Sequence, residues 1–250
     1  MEQVSQFKKI SSVDEVAAQV AHFLEKDSFD ENCWIIFDVD YTLTMPTMMY
    51  EGRNYPITQR SLVSILSEIK DREILDRVCS SSVFLPQILV DEQLPDALEK
   101  LSQKGAKMFA LTAALGAEKL RKHRFTTLSE LGINFSKAFD FSEMDLDDIA
   151  SYIGYKSGYY NGVLYANGEC DLTNNKGKVL KSFIKKIGQR PTHVVMVDDK
   201  KRNLESIQAA VTELGIDYLG LVYTDSREYE DLPETFLRQR VNKMLNNLEV

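Results

Sequence analysis

Short apolar runs alternate along this chain with longer stretches of helical period. Residues 33–37 (Cys-Trp-Ile-Ile-Phe) and the runs 107–112 and 192–197 are dominated by apolar side chains, many of them β-branched or aromatic. That pattern predicts strands buried on both faces. Residues 218–223 repeat it, and 138–142 is a weaker instance. Between the runs, helices are predicted over 12–26, 93–103, 117–131, 176–187, 204–214 and 233–245, with apolar positions at helical period in 12–26, 176–187 and 233–245. Ser12 and Glu15 have capping-box spacing at the first helix, and Gly105 and Gly132 supply stops for the second and third. Residues 159–168 alternate aromatic positions around Asn161-Gly162 and Asn167-Gly168, the strongest hairpin signal in the chain.

Strands alternating with helices predict βαβ units, hence an α/β fold with a parallel sheet and helices over both faces. Residues 45–90 interrupt this rhythm. A Met- and Pro-bearing stretch and a loop lead to Leu62, Ile65, Leu66 and Ile69 at helical spacing. A small, mostly helical cap insertion is expected there, between two parts of an α/β core at 1–44 and 91–250. Its methionines and aromatics are expected mainly to pack its own interior.

Polar chemistry gathers where the apolar runs end. The first run leads into Asp38 and Asp40, the second ends at Thr112, and the third leads into Asp198 and Asp199. Parallel sheets bind ligands outside the carboxyl ends of their strands. Four carboxylates in such a crevice repel one another unless a cation offsets them, and an all-oxygen set without Cys or His favours Mg2+. Neutralising Asp38 is therefore expected to stabilise the metal-free protein. Asp38 would attack a phosphoryl group, and Asp40 would protonate the leaving oxygen and then activate water. Thr112 and the backbone N–H groups beside it would hold phosphate oxygens. Lys176, opening a helix, would neutralise the transferring group, with Gly177 permitting close backbone approach. Lys178 is the alternative to Lys176, and Asn203 is read as support for the site or as a helix cap.

Composition narrows the partners. The 250 residues carry a formal net charge of −8, which argues against a general nucleic-acid or anionic-membrane binder. Cys33, Cys79 and Cys170 are widely spaced and read as reduced thiols, not as a disulfide or zinc framework. His22, His123 and His193 share no metal-ligand spacing. No apolar run approaches membrane-spanning length and no signal-peptide core is visible. A cytoplasmic location is expected, with secretion or translocation into a host cell as the alternative.

Asp38-Val39-Asp40-Tyr41-Thr42 resembles the DxDxT signature of the haloacid dehalogenase (HAD)-like hydrolase superfamily. Leu111-Thr112 is similar to its second motif, Lys176-Gly177 to its third, and residues 197–203 to the two-aspartate form of its fourth. The resemblance extends from about residue 33 to residue 223, and is strongest to a bacterial branch associated with intracellular pathogens. It implies a doubly wound, Rossmann-like sheet with a small cap and a Mg2+-dependent phosphatase forming an aspartyl-phosphate. It implies that Asp38 is nucleophile and metal ligand, and that Asp40 is acid/base and lends its carbonyl to the metal. Thr112 and Lys176 would hold the phosphoryl group, with Asp199 the direct ligand and Asp198 its support. Many members of the branch carry an arginine two residues after the second-motif threonine; Ala114 stands there in this chain. The substrate implied is a phosphorylated small molecule or phosphoprotein. A phosphotransferase or mutase on the same intermediate, or a binding or effector module with little turnover, are the alternatives.

Overall fold

The computed structural model describes residues 4–25, 29–168, 175–224 and 229–246. In chain order, β1 (Ser5–Ile10) and α1 (Asp14–Leu24) lead to β2 (Cys33–Phe37), whose five residues are all buried. The insertion holds β3 (Thr44–Tyr50), β4 (Arg53–Pro56), α2 (Gln59–Leu66), α3 (Arg72–Ser81), a 3-10 turn (Ser82–Phe84) and β5 (Gln87–Leu89). Next come α4 (Leu94–Gln103), β6 (Lys107–Thr112), α5 (Glu118–Glu130), β7 (Glu143–Asp145), β8 (Gly158–Tyr160) and β9 (Val163–Tyr165). Then follow α6 (Lys176–Ile187), β10 (His193–Asp198), α7 (Lys201–Thr212), β11 (Asp217–Tyr223) and α8 (Glu234–Asn246).

The central sheet runs β1-β11-β10-β2-β6-β9-β8-β7, with every pair from β1 to β9 parallel and the pairs β9–β8 and β8–β7 antiparallel. The protein is thus α/β with a large, mostly parallel sheet. Alternation along β2 builds both cores. Ile35 and Phe37 pack on one face with Val16 and Val20 of α1 and Leu94 and Leu101 of α4. Trp34 and Ile36 pack on the other with Val179 and Phe183 of α6 and Leu204 and Ile207 of α7. Each such side chain stabilises the fold by roughly 1.5–3 kcal/mol when fully buried, so a strand apolar on both sides belongs at the centre. It lies there, between β10 and β6, where the chain order of the strands reverses.

The hairpin at Asn161-Gly162 forms as expected: both residues have positive φ (42° and 91°), which a tight two-residue turn requires. Residues 138–142 form no strand; the short pairing falls at β7. β1 was not legible, because an edge strand buried on few positions can be polar, and Ser-Gln-Phe-Lys-Lys-Ile is. At α1 only half of the capping box is made. Glu15 accepts from the N–H groups of Ser11 and Ser12, while Val13 holds the cap position without a side-chain bond.

The insertion has its two expected helices, and it also opens and closes in strands that the sequence does not announce. β3 pairs antiparallel with β4 and with β5, turning at Glu51-Gly52 with positive φ at both (48° and 78°). A second feature is equally non-local. Leu237 and Val241 of α8 join Met48, Ile57, Ile65 and Val78 in the insertion's own core. Cys33 is buried in β2 and Cys79 half-buried on α3, while Cys170 lies outside the described residues. Among the described residues no helix is long and apolar enough to cross a membrane.

Candidate functional site

Three neighbouring strands deliver the acids and the threonine. Asp38 follows β2 and donates its N–H to Val197 O of β10 at 2.8 Å, which locks the two strand ends together. The chain then doubles back. Val39 O accepts from the N–H groups of Leu43 (2.9 Å) and Thr44 (3.0 Å), and Tyr41 turns with a φ of 65°. A left-handed conformation in a non-glycine residue costs on the order of 1 kcal/mol. The turn keeps Asp38 and Asp40 over the same sheet edge.

Lys176, the first residue of α6, is 2% exposed. Its Nζ donates to Asp38 Oδ1 at 2.5 Å and to Asp198 Oδ2 at 2.7 Å. Burial opposes its charge, but the two carboxylates outweigh burial and raise its pKa above the ordinary lysine value. Lys178, by contrast, is exposed, and its N–H is capped by Asn175 Oδ1 at 2.9 Å. Lys176 is therefore the lysine in the site. Gly177 also differs from expectation. A Cβ there would lie 1.9 Å from Ser206 O, so its missing side chain lets α6 press against α7; it does not open backbone to a ligand.

Asp198 and Asp199 differ in what surrounds them. Asp198 is fully buried and saturated: besides Lys176 it accepts from Lys200 N at 2.8 Å and from Asn203 Nδ2 at 3.0 and 3.1 Å. Asn203 thus supports Asp198, as read from the sequence. Asp199 accepts from Gln59 Nε2 of α2 through Oδ2, while its buried Oδ1 has no hydrogen-bond partner. Burial first, then the charge of Asp38, raises the pKa of both carboxyls; for Asp199 the charge of Asp198 adds to it. Carboxylate oxygens of Asp38, Asp198 and Asp199 all lie within 4.8 Å of one another.

Asp40 is bound differently. Arg124 of α5, a residue that the sequence reading missed, donates from NH1 to Oδ1 and from NH2 to Oδ2, both at 3.1 Å. Arg124 is 4% exposed and sits in line with Leu120 and Leu128, one residue per turn on the buried face of α5. An arginine in the middle of an apolar stripe was the available signal. Thr112 Oγ1 donates to Asp40 Oδ2 at 3.2 Å and accepts from Ala114 N at 3.1 Å. Its hydroxyl hydrogen is therefore directed at Asp40, not into open space. The following amides are also engaged, Leu115 N with Ser80 Oγ at 3.0 Å and Gly116 N with Asn167 Oδ1. Thr112 sits where expected, with its hydroxyl turned toward Asp40.

The described ion pairs set the charge. One cation, Arg124, faces Asp40, and one, Lys176, is shared between Asp38 and Asp198. Asp199, with its orphaned oxygen, lies beside them, where burial favours its protonated form while no cation is bound. All-oxygen donors, crowding and an unsatisfied buried carboxylate oxygen fit a hard divalent cation. Asp38 and Asp199 would hold it, with Asp198 behind them.

A family profile described as "Protein of unknown function (DUF2608)" matches residues 9–248, and the chain belongs to that family. The chain is similar to Uncharacterized protein RP296 of Rickettsia prowazekii (strain Madrid E), 24% identical over 204 residues, covering 78% of this chain and 70% of the relative. No solved structure matches the chain significantly.

Proposed function

We propose that this DUF2608 protein is a Mg2+-dependent phosphatase of HAD type, with a doubly wound core, that hydrolyses a phosphomonoester through an aspartyl-phosphate on Asp38. The observation that carries this reading is the convergence of Asp38, Asp198 and Asp199 around buried Lys176, with one Asp199 oxygen left unpartnered. Purely structural acids would be expected to satisfy their lone pairs within the protein. The resemblance of the four sequence motifs points the same way.

In this mechanism an Asp38 oxygen forms a bond to phosphorus as the bond from phosphorus to the ester oxygen breaks, and Asp40 gives that oxygen its proton. Asp40, now ionised, takes a proton from water, and the water oxygen bonds to phosphorus. The bond to Asp38 breaks, releasing inorganic phosphate and restoring both carboxyl groups. Lys176 offsets the charge of Asp38 and of the transferring group, and Thr112 and Arg124 hold Asp40 in orientation. Bound Mg2+ supplies electrostatic stabilisation of the phosphoryl oxygens.

The test is release of inorganic phosphate from p-nitrophenyl phosphate with magnesium or with chelator, in wild type and Asp38→Asn. Turnover that needs both magnesium and Asp38 is expected. Absence of turnover in wild type across a panel of phosphorylated metabolites and phosphopeptides overturns the proposal.

A further inference from the structure

A cavity of about 340 Å3 is lined at one end by Asp38, Asp40 and Lys176, and it continues between the core and the insertion. Away from the acids its wall is Met48 of β3, Leu62 and Leu66 of α2, Val78 of α3, and Val241 and Met244 of α8. Of the polar lining, Gln59 is taken by Asp199 and Asn203 by Asp198, Lys200 and Arg202 add positive charge suited to a phosphate, and two hydroxyls are engaged by the protein. Ser80 Oγ accepts from Leu115 N at 3.0 Å, and Ser82 Oγ donates to Cys79 O at 2.6 Å. A sugar or nucleoside placed there would lose water from its own polar groups and gain few partners, which weakens binding steeply for each group stranded. An aliphatic chain loses no hydrogen bond and gains apolar burial.

We infer that the alcohol half of the substrate is aliphatic. The site takes a monoalkyl phosphate, with its phosphoryl group at the acids and its chain between α2, α3 and α8. The cavity of about 340 Å3 has room for a phosphate together with an alkyl chain of several carbons. The assignment of which end carries the phosphoryl group rests on the phosphatase reading; the affinity of the wall for a chain does not.

The experiment titrates the wild-type protein in magnesium with n-alkylphosphonates from methyl to decyl, whose carbon–phosphorus bond resists hydrolysis, by calorimetry. Kd should fall about threefold to fourfold with each added methylene, the gain expected for full burial, and level off once the chain outgrows the cavity. Leu66→Gln should flatten that dependence. Equal affinity from methyl to hexyl, or glucose 6-phosphate binding more tightly than hexylphosphonate, overturns the inference. Release of phosphate from hexyl phosphate is measured alongside. Affinity that rises with chain length but without hydrolysis keeps the pocket and sinks the phosphatase reading, and hydrolysis with flat affinity does the reverse.

Discussion

Arg124 grips Asp40 as a fork, one guanidinium nitrogen on each carboxylate oxygen at 3.1 Å. The arginine is buried, whereas a quarter of the Asp40 side chain remains exposed toward the crevice. A bidentate pair fixes the plane of a carboxylate as well as its position. Arg124 is thus placed to aim Asp40, though it lies outside the second motif.

Arg124→Lys keeps the charge and loses the fork. Turnover should fall, most for esters of poor leaving groups that depend on the proton from Asp40, while esters of acidic phenols lose least. Arg124→Met should also destabilise by about 2 kcal/mol, below the ~3–5 kcal/mol of a fully buried pair because Asp40 is partly solvated. Equal rate losses across a leaving-group series would remove Arg124 from any role through Asp40.

Asp38→Asn should reduce kcat to below about 1% of wild type, since an amide does not attack phosphorus and the remaining residues supply only residual catalysis. Substantial activity in protein of verified mass would assign the nucleophile elsewhere.

Asp199→Ala and Asp198→Ala should fail in different ways. The first should weaken apparent magnesium affinity about tenfold or more, because Asp199 has a carboxylate oxygen to spare. The second leaves Lys176 buried with one carboxylate in place of two and strands Asn203, so its larger effect should be on stability, about 3 kcal/mol. A magnesium titration and a thermal melt on each variant decide it. The opposite pattern would exchange their roles.

Crowding of the acids should show in metal-free melts. Neutralising Asp38 relieves repulsion but gives up its ion pair with Lys176, so the gain expected from charge alone shrinks. Asp199→Asn gives up no ion pair and keeps an oxygen for Gln59. In chelator Asp199→Asn should therefore be the more stable of the two, by about 1 kcal/mol over wild type, or roughly 2–4 °C in Tm. Magnesium should raise the melting temperature of wild type more than that of Asp199→Asn. Greater stability of Asp38→Asn than of Asp199→Asn in chelator would show that Lys176 is not balanced between Asp38 and Asp198.

Gly177→Ala should cost ~3 kcal/mol or more, because the new methyl would meet backbone of α7 and not a yielding side chain. A melt within 2 °C of wild type would mean that α6 and α7 can separate freely.

Asp38, Asp198 and Asp199 were legible because each follows an apolar run that only a central strand accommodates, and Lys176 because it opens a clearly amphipathic helix. Arg124 was not, since the helical period of α5 is counted on its apolar neighbours and passes over one charged residue on the buried face. The β3–β4 hairpin was hidden by Pro46, which argues against a strand, and by a Glu-Gly turn that lacks the strong Asn-Gly signal. β1 was hidden because its edge position tolerates polar residues. The seat of α8 could not be read at all, because a helical period says which face is buried and nothing about what buries it.

That seat orders events during synthesis. Part of the lining of the chamber beside the acids is laid down with Met48 and another part with Val241. Every strand of the central sheet lies in the chain ahead of α8, so the sheet can assemble while the chamber still lacks a side. For most of its time on the ribosome the nascent chain carries α2 and α3 with their apolar faces uncovered, the condition in which chains aggregate or recruit chaperones. Among the described elements, the one that completes the cavity beside the acids is the last in chain order.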